Sequence, residues 1–278
     1  MEMTSTGGIE IVGDGVRPRQ FRAVLFDFDG TLSLLRRNWQ DVMIPMMVDI
    51  LLETGTSESR DELGELVEQF VMRLNGKQTI YQMIQLAREV QQRGGTARPP
   101  LDYKNQYHHM LWKQVGKRVE AVRNGQLPAE EVRVPGTLPL LSALKDRGLD
   151  LYLASGTDLK YVEDEVQVLQ LEMFFGRHVY GALDDYENFS KAQLIERIIQ
   201  ESGIAGNEIL GFGDGFVEIE EVNRVGGVTV GVASDEVRRE GINAWKRERL
   251  IQAGANFIVP DYRQLPQLLA TLGLGDEK

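Results

Sequence analysis

The chain has 278 residues, 42% of them hydrophobic and 26% charged, with no cysteine. That composition excludes wholesale disorder, a disulfide framework and thiolate chemistry. With 31 basic against 42 acidic residues the net charge is −11, which argues against a nucleic-acid partner, because phosphate contacts need clustered Lys and Arg.

Residues 1–19 are rich in Gly, Ser and Thr and read as an N-terminal tail, or at most one short peripheral strand. Arg22 to Phe26 is a short apolar run of strand formers that stops abruptly at Asp27-Phe28-Asp29-Gly30-Thr31. Such an ending marks a change from core to site. Then come four stretches with apolar residues spaced by three and four: Val42 to Ile50, Leu63 to Leu74, Ile80 to Ala87 and Tyr107 to Val119. This spacing predicts four amphipathic helices in succession. The Met43, Met46 and Met47 stripe reads as the core of that helical module.

From Val132 onward the pattern alternates. Helices are predicted over Leu138–Arg147, Tyr161–Leu171, Lys191–Ser202, Val217–Arg224 and Leu265–Leu272. Strands are predicted over Leu149–Ala154, Arg177–Tyr180, Glu208–Phe212, Val228–Val232 and Phe257–Val259. Alternation of this kind predicts an α/β fold: a Rossmann-like parallel sheet with helices on both faces. The helical module is then an insertion, giving a core of 20–34 plus 131–278 and an all-helical cap of 35–130. Met1 to Glu10 has no basic start or apolar run, and Val42 to Leu52 is interrupted by Pro45 and Asp49. Neither suits a signal peptide or a membrane span, so a cytoplasmic protein without a membrane partner is expected, and a monomer by default.

Ligands of open parallel sheets bind at the carboxyl ends of the strands. The predicted strand ends carry Asp27 and Asp29, then Ser155, Gly156 and Thr157, then Asp214 and Glu218; Lys191 opens a helix behind Ser190. Several carboxylates together need a cation, and an all-oxygen set suits Mg²⁺. Lys191 and backbone N–H groups after Ser155 are equipped to hold an anion. A metal, a lysine and amides around a carboxylate suit phosphoryl transfer, with the carboxylate as nucleophile.

Here Asp27-Phe28-Asp29-Gly30-Thr31 resembles the first motif of the haloacid dehalogenase superfamily, the aspartate-nucleophile phosphohydrolases. Ser155 in Leu153-Ala154-Ser155-Gly156-Thr157 resembles the second, Lys191 the third, and Gly211 to Glu218 the fourth. The order is the family's, and the cap sits where helical caps sit in relatives of the phosphoglycolate phosphatase and beta-phosphoglucomutase type. The resemblance implies Asp27 as nucleophile and metal ligand, and Asp29 as acid, then base, giving the metal its backbone carbonyl. It implies Ser155 and Lys191 on the phosphoryl group and Asp214 on Mg²⁺. Glu218 stands where the family most often has Asp and is carried over as a further metal ligand. The implied activity is Mg²⁺-dependent hydrolysis of a small phosphorylated metabolite through an aspartyl-phosphate. A sugar-phosphate mutase and a non-catalytic binding protein on the same fold are the alternatives. Asp29 argues against the dehalogenase branch and the transport ATPases. A phosphonate-cleaving relative would need a Schiff-base lysine from the cap, Lys77 or Lys104, and nothing in the sequence marks either as buried.

Gly156, Thr157, Arg37 and Lys77 are the candidate substrate contacts. Each reading has a plainer counterpart: Ser155 as the cap of the next helix, Lys191 as a surface lysine, Glu218 as a first-turn helix acid, and Arg36 or Arg37 in a hinge salt bridge. His108 and His109 are adjacent on one helix and point to different faces, which disfavours a joint metal site.

Overall fold

The computed structural model describes residues 4–6, 8–12, 20–183 and 190–275. Eight strands form one sheet: β1 (Thr4–Thr6), β2 (Ile9–Ile11), β3 (Ala23–Phe26), β4 (Asp150–Asp158), β5 (Val179–Ala182), β6 (Ile209–Gly213), β7 (Val228–Val232) and β8 (Phe257–Val259). The order across the sheet is β1-β2-β8-β7-β6-β3-β4-β5, parallel from β8 to β5. The expected tail is corrected here: residues 4–6 and 9–11 form a hairpin whose second strand pairs antiparallel with β8. A three-residue strand between glycines carries too little periodicity to announce itself.

β3 lies inside the sheet, paired with β4 on one side and β6 on the other. All four of its side chains are buried, and they alternate between the faces of the sheet. Val24 and Phe26 join one hydrophobic cluster, while Ala23 and Leu25 join another. The first face is covered by α5 (Thr137–Asp146), α6 (Leu159–Val168), α7 (Glu172–Phe175) and α11 (Leu265–Thr271), and the second by α8 (Lys191–Ser202) and α9 (Phe216–Arg224). α10 (Ala244–Gln252) packs on β7 and β8 through Leu250.

Between β3 and β4 the chain forms α1 (Gln40–Leu52), α2 (Arg60–Arg73), α3 (Thr79–Gln92) and α4 (Pro100–Arg123). The start of α2 is fixed by a reciprocal capping box between Ser59 and Glu62. Pro100 opens α4, where a missing N–H costs nothing. Met43, Met46 and Met47 are buried between these helices. The chain segments leading out of and back into the sheet pair with one another: Leu34 N–H donates to the Val132 carbonyl (2.8 Å) and Val134 N–H to that of Leu32 (3.1 Å). No helix among the described residues is long and apolar enough to cross a membrane.

Candidate active site

β3 delivers Asp27 to the rim of the sheet, and the turn after it delivers Asp29. Gly30 has φ +76°, and a side chain there would run into the Asp214 carboxylate at 2.1 Å. Only glycine lets the turn and Asp214 share this space. Ser190 caps α8 by accepting from Gln193 N–H (3.1 Å), which sets Lys191 at the first helical position with its ammonium pointing back at the rim. Lys191 Nζ lies 2.9 Å from Asp27 Oδ1, and both residues are buried.

Burial pushes the Asp27 carboxyl up to about 6; Lys191 opposes this shift, and the Asp214 charge adds to it. Asp29 is pushed up to about 7, again mainly by burial, against the pull of Arg36. The Thr157 hydroxyl donates to Asp29 Oδ2 at 2.9 Å. Arg36 reaches Asp29 Oδ1 at 3.8 Å and pairs with the wholly buried Glu165 at 2.6 Å. Arg36 therefore carries a hinge salt bridge while facing the site.

Asp27, Asp29, Ser155, Gly156, Thr157, Lys191 and Asp214 line one cavity of about 90 Å³, together with Arg37 and Lys77 from the cap side. Glu218 does not line that cavity. It is fully buried, and its carboxylate is paired with Lys191. Its stem lies against Gly213, where a Cβ would approach it at 2.9 Å, and its Oε2 lies 3.1 Å from where a Cβ on Gly215 would stand, so the two glycines leave room for the longer side chain to turn its charge to the ammonium. A buried carboxylate takes the nearest counter-ion.

Ser155 also differs from its plainer reading. β4 continues in extended form to Asp158, α6 starts at Leu159, and the Ser155 hydroxyl accepts from Thr157 N–H (3.0 Å) without capping the helix. The polar residues of β4 disguise this extension in the sequence. Lys104, which the sequence did not mark as buried, is 3% exposed with its ammonium 2.5 Å from Asp158. It does not line the cavity. Lys77 does line it, and is exposed.

Sequence reading missed Lys246 and Glu236. Lys246, buried on α10, places its ammonium 2.7 Å from Asp214 Oδ2 and 2.7 Å from Glu236 Oε1. Burial disfavours its charge, but the two carboxylates more than offset that and hold its pKa above the ordinary range. α10 shows little apolar periodicity; the one available signal was Asn243, which caps it by accepting from Lys246 N–H.

Among the described residues no three acidic, histidine or cysteine side chains converge closely enough to hold a metal by themselves. The donor set still fits Mg²⁺, which keeps several waters and needs only one or two carboxylates from the protein. The Asp214 charge is near enough to raise the Asp27 carboxyl, and the absence of a side chain at Gly30 admits the Asp214 carboxylate beside it.

On the cap side, burial lowers the His108 imidazole to about 4, with the nearby Arg36, Lys104 and Lys160 charges adding to that shift and Asp158 opposing it. The folded protein thus binds fewer protons here than the unfolded chain as pH falls from the ordinary histidine range towards 4. Stability is fully present above that window and is lost on descending through it, by on the order of 3 kcal/mol. Urea unfolding of His108→Gln between pH 7 and 4 should show a shallower acid decline than wild type; parallel declines would remove His108 as its cause.

A family model for haloacid dehalogenase-like hydrolases matches residues 21–226. No curated protein matches the chain. Among solved structures, a predicted phosphoglycolate phosphatase from Haemophilus somnus 129PT is 16% identical with a TM-score of 0.58, over 90% of this chain and 98% of that one. A haloacid dehalogenase family hydrolase from Deinococcus radiodurans R1, with bound phosphate and sodium, is 18% identical with a TM-score of 0.54, over 93% and 99%. A beta-phosphoglucomutase from Clostridium difficile is 14% identical with a TM-score of 0.58, over 91% and 97%. At these identities the likeness is one of fold.

Proposed function

We propose, for a chain that belongs to the haloacid dehalogenase-like hydrolases, a Mg²⁺-dependent phosphatase acting on a small phosphorylated metabolite, with residues 35–130 as its cap. The observation that carries this reading is the buried Asp27–Lys191 pair at 2.9 Å, with Asp29 beside it in the grip of Thr157. A carboxylate meant only for solubility would not be buried against an ammonium at a strand end.

Asp27 attacks phosphorus, forming an aspartyl-phosphate as the bond to the leaving oxygen breaks. Asp29, raised to about 7, hands its proton to that oxygen. It then takes a proton from the water that attacks the phosphoenzyme, so phosphate departs and Asp27 is restored. Both directions of transfer suit a group poised near neutrality. Lys191 offsets charge on the nucleophile and on the phosphoryl oxygens. The Ser155 hydroxyl and the backbone around Gly156 and Thr157 are the proposed phosphoryl donors, and Arg37 and Lys77 the contacts to the rest of the substrate. Asp27, Asp214 and the Asp29 carbonyl would hold Mg²⁺, which when bound would supply countercharge to the phosphoryl group. Hinges at Ser33–Arg37 and Asn124–Val134 would let the cap admit substrate and shut out bulk water.

Removing divalent metal with a chelator should lower phosphate release by about 10² or more, and Mg²⁺ should restore it. The test is a phosphate-release screen over phosphorylated metabolites at saturating Mg²⁺. Release that is indifferent to the chelator sinks the metal role. Silence across the panel sinks the hydrolase reading of this site.

A further inference from the structure

α2 ends at Arg73, and in its last turn the Phe70 carbonyl accepts from Leu74 N–H (3.1 Å) and that of Met72 from Asn75 N–H (3.3 Å). One residue of the core adds further donors here. Arg249 on α10 donates to the Met72 carbonyl, to that of Arg73 at 2.8 Å and to that of Asn75 at 3.0 Å. Its guanidinium lies over two rings, 4.7 Å from the centroid of Phe216 and 5.2 Å from that of Trp245. A planar fork of donors suits several acceptors at once, and its charge sits at the negative end of the α2 dipole.

The held segment leads directly into the site. Asn75, Gly76 and Lys77 line the catalytic cavity. Gly76 has φ +94°, and a side chain there would meet the Gly215 backbone at 3.4 Å; one at Gly156 would meet the Lys77 carbonyl at 3.0 Å. At these glycines the turn meets the core mainly backbone to backbone, with the Val217 side chain beside Gly76. α10 is itself tied to the site: Lys246, one helical turn before Arg249 and so on the same face, holds Asp214 and Glu236.

We propose that Arg249 is a positioning residue, which holds the turn Asn75–Gly76–Lys77 against the catalytic face and so fixes the cap-side wall of the substrate cavity. The kinetic arm of its test rests on the phosphatase reading; the exchange arm does not. A displacement of about 1 Å in such a wall is enough to alter substrate engagement substantially.

The experiment uses the full chain with Arg249→Met, which keeps the aliphatic stem and loses the donors, and Arg249→Lys, which keeps the charge. Amide exchange over residues 72–78, without substrate, should accelerate about tenfold or more in Arg249→Met and stay unchanged in α8. KM for a substrate found in the phosphate-release screen should rise about tenfold, with kcat changing less than about threefold. Arg249→Lys should fall between wild type and Arg249→Met in both readouts. Unchanged exchange in the turn overturns the proposal. So does exchange that quickens everywhere with a lower Tm while KM stays put, because that is the mark of a purely structural residue. If wild type releases no phosphate from any compound, the exchange data still decide the role of Arg249, and only the phosphatase reading falls.

Discussion

Asp27→Asn is expected to abolish phosphate release, lowering kcat by on the order of 10⁵ or more, while leaving a folded protein. The substitution keeps the shape of the side chain at the end of β3 and removes its nucleophilic oxygen charge. Lys191 keeps a carboxylate partner in Glu218, so the loss is not one of a stranded ammonium. Circular dichroism and Tm should therefore stay close to wild type. Rapid mixing of wild type with substrate, followed by acid quench, should trap phosphate covalently on the protein, and Asp27→Asn should trap none. Equal turnover in both proteins would remove Asp27 as the nucleophile and make a contaminating phosphatase the suspect. Residual turnover near wild type with no trapped intermediate would point to direct attack by water.

The site residues at the sheet rim were legible because of an abrupt change along the chain: an apolar strand run gives way to polar residues at its carboxyl end. Asp27 after β3 and Asp214 after β6 stand out in this way, and Lys191 stands out as the residue after a helix-capping Ser. The helices of the insertion were legible through the faces they bury, as in Met43, Met46 and Met47. What escaped was polar chemistry without a period. α10 buries little apolar surface beyond Leu250, so nothing in its pattern announced a helix, and with it went Lys246 and Arg249. The burial of Lys104 depends on Asp158, 54 residues further along the sequence, and no local pattern encodes such a partner. The partnership of Glu218 with Lys191 is likewise a tertiary fact: a first-turn helix acid reads the same whether it faces solvent, a metal or an ammonium. β4 shows the converse, since its last residues are too polar to look like strand yet remain extended.

Lys191→Met is expected to damage both function and fold, and its partners allow the two effects to be separated. The methionine fills much of the same space but leaves Asp27 and Glu218 buried without their shared ammonium. Stranding buried charge in this way costs about 3–5 kcal/mol, read as a lower urea midpoint. The loss of positive charge beside the nucleophile should lower kcat by on the order of 10³. Glu218→Gln added to Lys191→Met removes one stranded carboxylate, so it should recover much of the stability and none of the activity. Glu218→Gln alone tests the structural placement against the family pattern. If Glu218 serves chiefly as the counter-ion of Lys191, the single variant should leave the affinity for Mg²⁺, followed by calorimetry, within about threefold of wild type while lowering Tm. A fall in affinity of about tenfold or more would instead make Glu218 a contributor to the cation site, as its position in the fourth motif implies. The distinction matters mechanically. A glutamate that holds Lys191 sets how much positive charge remains for the phosphoryl group, so Glu218→Gln should free part of that charge for Asp27. In that case the phosphoenzyme forms from a less basic nucleophile, and the balance between the attack step and the hydrolysis step shifts, visible as a changed burst amplitude in the same rapid-quench experiment.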